Sequence, residues 1–300
     1  MIPINGLRLR AVLVQALRAF FQARDCLEVE TPIRIPAPAP EPHIRPLASE
    51  EWFLQTSPEL CMKRLLAAGI PSLFQICKCF RAEERGNRHL TEFTMLEWYR
   101  AGEDYRFLMA ECEELFRHLA RALGRGDSLR FRGRCVSLAG PWERLSVAEA
   151  FRRHAPCTLE QALERDLFDE MLVVHVEPRL GLITPTFLHD YPAELGALAR
   201  LKPEDAAWAE RFELYLNGME LANGFSELVD AAEQRQRFVL DQERIAAQGR
   251  VPAPLPEPFL RDLAAMPPAA GIAMGVDRLV MVFADADGID QVVAFPPEKL

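Results

Sequence analysis

Apolar residues first recur at helical spacing: Leu9, Leu13, Leu17 and Phe20 form one stripe. Arg8, Arg10, Arg18 and Arg24 fall mostly on other faces, so an amphipathic helix is predicted. The pattern gives way over Cys26–Ile35 to a strand ended by Pro32. A proline-rich run to Pro46 then reads as a surface loop, because proline can neither continue a helix nor donate to a sheet. Trp52–Thr56 predicts a short strand. Ser57-Pro58-Glu59 predicts a helix start, with Ser as cap, Pro in the first turn and an acid at the positive end of the dipole.

The richest pattern spans Gln75 to Arg100, two strands joined by a polar, basic loop from about Glu84 to Thr91. Alternate residues of a strand share a face, so Cys77, Cys79, Arg81 and Glu83 look one way and Phe93, Met95, Glu97 and Tyr99 share a face on the return. If the two faces coincide, one surface displays an Arg, two acids, a Phe and a Tyr. Arg81 and Glu97 are costly to bury without partners. A solvated hairpin of mixed charge accounts for the same residues. The basic loop tip of Arg85, Arg88 and His89 adds a reason to expect a phosphate-bearing ligand, if these cations are mobile above an acidic platform.

Downstream, the stripe of Leu108, Cys112, Leu115, Leu119 and Ala122 predicts a helix over Asp104–Leu123, and Leu129–Leu138 an Arg-rich hairpin. The stretch to about Gly181 reads as helical with short breaks. Thr184–Tyr191 is strand-like, and Trp208–Glu227 reads as two strands joined at Asn217-Gly218. A helix over Ala231–Gln248, a Pro-rich connector at Val251–Pro258 and a strand over Ala270–Gly275 running into a helix near Val276 complete the chain. Strands arriving as hairpins with helices between them imply a mainly antiparallel sheet flanked by helices, an α+β fold, here as a single domain over residues 1–300.

Composition narrows the function. With 49% hydrophobic residues, 300 residues bury a sizeable core. A net charge of −9 argues against broad nucleic-acid binding without excluding a local basic patch. Only four of the 35 basic residues are Lys, so an Arg is no phosphate ligand by identity alone. The basic cluster Arg117, Arg121, Arg125, Arg130, Arg132 and Arg134 reads as a solvated surface or as a face for an acidic partner. Seven cysteines, an odd number without a CxxC pair, suit a reducing compartment. Neither a signal peptide nor a membrane-spanning run is visible, and a cytoplasmic protein is expected.

There is no GxxxxGK[ST], no GxGxxG after a strand, no GxSxG and no HExxH. Any ATP chemistry needs another platform, and two segments supply parts of one. In Gly271–Arg278 the odd strand positions are Gly, Ala and Gly, which bares one face to a ligand, and Arg278 stands at a helix start that favours anions. Close helix packing explains the glycines equally well. In Glu220–Glu227 the two acids differ in parity. A bulge at Asn223-Gly224 would bring both to one face, where paired carboxylates suit Mg²⁺. A hairpin with exposed acids is the plain alternative.

Together these segments resemble the signature of class II aminoacyl-tRNA synthetases: Cys26–Pro32 is similar to the first motif, Phe80-Arg81-Ala82-Glu83 through Phe93 to the second, and Gly271–Arg278 to the third. The blocks TSPEL at 56–60, PTFLHDYPAELGALAR at 185–200 and ELANGFSEL at 220–228 resemble the lysyl branch, and the likeness covers nearly the whole chain. The resemblance implies ATP and Mg²⁺ as cofactors and a homodimer built on the first motif. It implies that Arg81 holds the α-phosphate, His89 reaches the nucleotide from the loop, Phe93 stacks on adenine, Glu83 lies at the adenine edge and Arg278 meets the γ-phosphate. Glu220 and Glu227 would hold Mg²⁺. Ser57, Glu59, Tyr99, Asn223 and Glu227 would form the amino-acid pocket.

Two departures refine the likeness. The chain starts almost directly at the first motif's helix, with no anticodon-binding OB-fold, so stable tRNA binding is not expected. Ala273 stands where the synthetases usually carry glycine, and its methyl would crowd an α-amino group. Both features resemble the stand-alone family that modifies elongation factor P. That resemblance implies activation of (R)-β-lysine as an adenylate and its transfer to a lysine of the factor. A truncated synthetase charging tRNA with lysine, and a non-catalytic synthetase-like regulator or binding module, are the alternatives.

Overall fold

A computed structural model of the chain describes residues 4–300. The chain opens with helix α1 (Ile4–Gln22), which buries Leu13, Leu17, Phe20 and Phe21 as its apolar stripe requires. The expected strand over Cys26–Ile35 is instead two short pieces, β1 (Leu27–Glu28) and β2 (Arg34–Ile35). Pro32 lies between them and has no N–H to offer a ladder. β3 (Leu47–Ser49) and β4 (Trp52–Leu54) join β2 in a small sheet of order β2-β4-β3. Helix α2 (Glu59–Ala67) follows. Pro58 occupies its cap, and Ser57 Oγ accepts the Glu59 N–H at 3.0 Å.

The long hairpin is β5 (Ser72–Phe80) and β6 (Glu92–Ala101), and helix α3 (Tyr105–Ala122) is capped by Asp104, whose side chain accepts from the N–H groups of Arg106 and Phe107. β7 (Ser128–Phe131) and β8 (Arg134–Ser137) form the separate Arg-rich hairpin. The region read as helical up to Gly181 holds a strand, β9 (Glu143–Ser146), before helices α4 (Val147–His154), α5 (Leu159–Glu164) and α6 (Phe168–Met171). Strands β10 (Thr186–Pro192), β11 (Trp208–Leu216) and β12 (Met219–Ser226), helices α7 (Ala231–Ala247) and α8 (Glu257–Leu263), strand β13 (Ala269–Gly275) and helix α9 (Val276–Ala284) complete the order.

Eight strands pair in the order β1-β5-β6-β13-β12-β11-β10-β9. The pairings β1/β5 and β9/β10 are parallel and the others antiparallel. The expected α+β fold is therefore present, and β13, from the end of the sequence, runs between β6 and β12 at its centre. One face carries Trp98, Leu96, Ile272, Met274, Phe212 and Phe187, buried together with residues of α1, α3 and α9 in the largest core cluster. Two buried polar joints fix these helices. Glu111 of α3 accepts from Trp98 Nε1 at 2.7 Å and from Arg100. Asp277 of α9 accepts the Thr94 N–H at 2.7 Å and Arg10 Nη1 at 2.5 Å. No helix among the described residues is long and apolar enough to cross a membrane.

Candidate active site

The opposite face of the central strands carries the polar residues. In β5/β6, Gln75 lies opposite Glu97, Cys77 opposite Met95 and Cys79 opposite Phe93, so the two odd-numbered faces coincide as expected. Continuing across the sheet, Glu97 pairs with Ala273 of β13, Ala273 with Asn223 of β12, and Asn223 with Glu213 of β11. Four strands thus deliver Glu97, Ala273, Asn223 and Glu213 as one row.

A bulge does reverse the parity of β12, but not at Asn223-Gly224, where the ladder to β13 is unbroken. Against β11 the register passes from Leu214↔Ala222 to Tyr215↔Glu220, so Leu221 is the extra residue. Glu220 thereby joins the face of Asn223 and Phe225. Gly224 has its own constraint, since a Cβ there would fall 2.8 Å from the Phe212 ring and 2.9 Å from Ile272 Cβ.

At one end of this floor lies a buried acidic pocket. Glu97 is 1% exposed; it accepts from Ser57 Oγ through one oxygen and from Tyr99 Oη at 2.9 Å through the other. Ser57 thus stands one residue before the cap, in place of the cap expected of it, while accepting the Glu59 N–H and facing the pocket. Glu227 is equally buried, and neither of its oxygens has a hydrogen-bond partner. Its companion is Lys63 Nζ, 2.5 Å from Glu227 Oε2 in an ion pair without hydrogen-bond geometry and 2.5 Å from Glu59 Oε1, to which it donates. Burial, with the charge of Glu59 adding, pushes the Glu97 carboxyl up to about 8. Burial pushes Glu227 up to about 8 as well, although Lys63 pulls the other way. Burial and Glu97 raise the Tyr99 hydroxyl well above its ordinary value. Gly271 keeps the pocket open, because a Cβ there would overlap both the Tyr99 ring and Glu227 Oε1.

At the other end the cations gather. Arg278, in the first turn of α9, donates through Nη1 to Glu220 O at 2.9 Å and Glu220 Oε2 at 3.1 Å, and through Nη2 to His89 Nε2 at 2.5 Å. Guanidinium groups only donate, so His89 Nε2 accepts. Burial, then the charges of Arg278 and Arg81, hold His89 down at about 4, which keeps it neutral. The Arg81 guanidinium lies 5.2 Å over the Phe93 ring and its Nε donates to Thr56 O at 3.4 Å. Arg81, His89, Glu220, Arg278 and Phe93 therefore face one region. Glu83 lies apart from them, with a positive φ of 66° and an ion pair to Arg45.

The loop between β5 and β6 is pinned, in contrast to the mobile cations expected. Arg85 pairs with Asp290 and Glu298, each at 2.8 Å, and Arg88 Nη1 donates to Gly218 O at 3.0 Å. The Arg-rich cluster is also partly committed within the chain: Arg117 to Leu138 O and Gly140 O, Arg125 to Phe283 O and Arg132 to Asp287 O.

Glu220 and Glu227, expected as a metal pair, keep different company. The acids around Glu227 are Glu59 and Glu97, whereas Glu220 acts on Glu213. Glu213 is buried beside Arg211, whose Nη2 donates to it at 2.7 Å, and Tyr215 Oη donates to it at 2.6 Å. Arg211 Nε also donates to Asn223 Oδ1 at 2.9 Å. Burial raises the Glu213 carboxyl, and the charge of Glu220 adds to the shift. Sequence reasoning passed over Lys63, Arg211 and Glu213. The signal for Lys63 was its i+4 spacing from Glu59 on α2; for Glu213 it was the alternation of β11 read against a bulge one element away.

The family model for class II tRNA synthetases (D, K and N) matches residues 4–299. A protein of Erwinia tasmaniensis named elongation factor P--(R)-beta-lysine ligase is 38% identical, over 99% of this chain and 96% of its own length. Proteins of the same name are 37% identical in Klebsiella pneumoniae subsp. pneumoniae, over 99% and 96% of the two chains, and 39% identical in Vibrio cholerae, over 98% and 95%. With the sheet order, the acidic pocket and the Arg81–Arg278 region on one floor, these matches make the chain a member of the class II tRNA synthetases of the D, K and N type, in the branch of the elongation factor P–(R)-β-lysine ligases.

Proposed function

We propose that the protein is an ATP-dependent ligase that activates (R)-β-lysine as an aminoacyl-adenylate and transfers it to a lysine of elongation factor P. The observation that carries this reading is the shared floor: a buried acidic pocket at one end, two guanidinium groups with a neutral imidazole at the other, and the short side chains of Ala273 and Asn223 within the row that crosses it. Diammonium substrates need the first, and a triphosphate needs the second. The relatives' name supplies the particular amino acid and acceptor.

In the first step a carboxylate oxygen of β-lysine attacks the α-phosphorus of ATP, a P–O bond forms, and the bond to the leaving pyrophosphate breaks. Arg81 is assigned to the α-phosphate and Arg278 to the γ-phosphate. Phe93 would exchange the Arg81 guanidinium for adenine as its stacking partner, and the neutral His89 would accept or donate one hydrogen bond at the nucleotide. Glu83 is assigned to the adenine edge, which requires it to leave Arg45. In the second step the ε-amine of the acceptor attacks the acyl carbon, the bond to AMP breaks, and the amine loses a proton to solvent. Positioning and charge neutralisation suffice, without a protein nucleophile.

Glu220 and Glu213 fit Mg²⁺: they are hard carboxylate donors on one face, and one of them is held up in pKa partly by the other. When bound, the ion would neutralise phosphate charge. Glu227 is assigned to the substrate ammonium with Ser57, Glu59, Tyr99 and Asn223, not to the ion. Ala273 lies in register between Glu97 and Asn223, where its methyl would crowd an α-amino group and favour a substrate whose amino group is on the β carbon. A homodimer is supported by Leu27, 51% exposed on β1 at the unpaired edge of the large sheet. A cytosolic setting is supported by seven free cysteines.

The test is pyrophosphate exchange dependent on added amino acid, followed by acceptor assays. (R)-β-Lysine should outperform lysine, and elongation factor P should be labelled while tRNA is not. Ala273→Gly should raise the use of lysine relative to β-lysine by about tenfold, the scale of about 1.4 kcal/mol. No exchange with either amino acid, or lysylation of tRNA alone, would overturn the reading.

A further inference from the structure

Lys63 is the cation of the acidic pocket, and the proposed reaction leaves it without a task. It is a lysine with 1% exposure, unusual for the most strongly hydrated of the cations. Its stem leaves the second turn of α2, and its ammonium sits 5.1 Å over the Phe225 ring and between Glu59 and Glu227. Three acids face Lys63: Glu59 from α2, Glu97 from β6 and Glu227 from the segment after β12; Tyr99 donates to Glu97, and β13 contributes only the bare Gly271. Glu41, in the loop before β3, also acts on Glu59, and the charges of Arg81 and Arg211 favour the ionised form of Glu41. With Glu97 and Glu227 buried and Glu59 partly exposed, ionising all three carboxylates is tolerable only against a matching positive charge, the alternative being a proton. One ammonium from the protein leaves two carboxylates to be matched by a ligand.

We propose that Lys63 is a positioning residue that determines specificity: it clamps Glu59 and Glu227 and cancels one of three carboxylates. The pocket's remaining double negative charge is then balanced only by an acyl group bearing two ammonium groups. This rests on the proposed ligase reading, in which the substrate carboxylate is consumed in the adenylate and its two amines remain. A monoammonium acid leaves one buried carboxylate unmatched, and a neutral acid leaves two. Glu227 Oε1, unpartnered and beside Gly271, is the oxygen that the clamp keeps turned toward the ligand.

The experiment uses the full chain and (R)-β-lysine in pyrophosphate exchange, with Lys63→Met, Glu59→Gln and the double variant, across pH 6 to 9. Without Lys63 only a proton can cancel the third carboxylate. The KM of Lys63→Met relative to wild type should therefore rise with pH, approaching about tenfold per pH unit, while kcat changes by less. In Lys63→Met with Glu59→Gln the count of two carboxylates is restored. The extra pH dependence should vanish, and KM should be at least tenfold lower than in Lys63→Met at pH 8.5. A KM ratio flat in pH, or a double variant no better than Lys63→Met, would overturn the proposal. If Lys63→Met fails to fold by circular dichroism, the double variant decides alone: a KM ratio to wild type that is flat in pH supports the charge count, and a ratio that rises with pH overturns it. Should wild type use no diammonium acid at all, the ligase reading fails instead.

Discussion

At the scale of single residues, the pocket is an electrostatic cost that the folded chain accepts before any ligand arrives. Glu97 and Glu227 have folded values of about 8, and Glu41, raised mainly by burial, about 7, against 4.5 for an unperturbed Glu. The folded chain therefore holds protons that the unfolded chain has released. The associated stability is fully present below about pH 4.5 and is lost as pH rises through about 8. His89, held at about 4 against an ordinary 6.5, acts in the opposite sense, but only between those two values. Between pH 6.5 and 8 the carboxyls act alone. Thermal unfolding of the unliganded protein should show stability falling over this window by roughly 1 kcal/mol per pH unit or more. Glu97→Gln should flatten the slope, and a diammonium ligand should stabilise more strongly at pH 8 than at pH 6.5. A midpoint that rises from pH 6.5 to 8 would show that these carboxyls are ionised in the folded chain.

At the scale of elements, two strands shape the floor by what they omit or add. β13 omits side chains: Gly271 lets Tyr99 and Glu227 approach its backbone, and only a Cβ stands between that arrangement and a filled pocket. Gly271→Ala should lower amino-acid-dependent pyrophosphate exchange at least 100-fold while costing about 1–3 kcal/mol of stability, the usual penalty of overpacking. Exchange within tenfold of wild type would mean that the substrate does not enter beside β13. β12 adds a residue instead, and the bulge at Leu221 turns Glu220 to the face of Asn223 and Glu213. The need for a bulge was legible in the parity of Glu220 and Glu227. Its position was not, because register on β12 is set by pairing with β11, whose side chains lie in another stretch of sequence. The strand over Cys26–Ile35 failed for a related reason: β1 pairs only where Leu27 and Glu28 meet Leu73 and Phe74, and Pro32 prevents continuation.

At the scale of the whole molecule, the order β6-β13-β12 places distant segments side by side, Gly271 of β13 lying opposite Tyr99 of β6. The outer edge, β1, stays unpaired within one chain, and Val12, Leu27, Ile33 and Trp52 are exposed on α1, β1, the turn before β2 and β4. If two copies meet through this region, as proposed, Leu27→Glu should shift sedimentation at micromolar concentration from dimer to monomer without lowering helix content. Wild-type protein that sediments as a monomer at high micromolar concentration would overturn the pairing.

The sequence by itself determined the local elements and most of the chemistry. Alternation named the odd-numbered face of the β5/β6 hairpin, helical spacing named α1 and α3, and ordered motifs named Arg81, Glu220 and Arg278, because periodicity and residue type are properties of short windows. Only the tertiary structure decided that Lys63 lies between Glu59 and Glu227, that Glu213 is the acid beside Glu220, and that Arg85 is held by Asp290 and Glu298. Each of these depends on which distant charges share a low-dielectric space. That is settled by sheet order and burial, which no local stretch of sequence specifies.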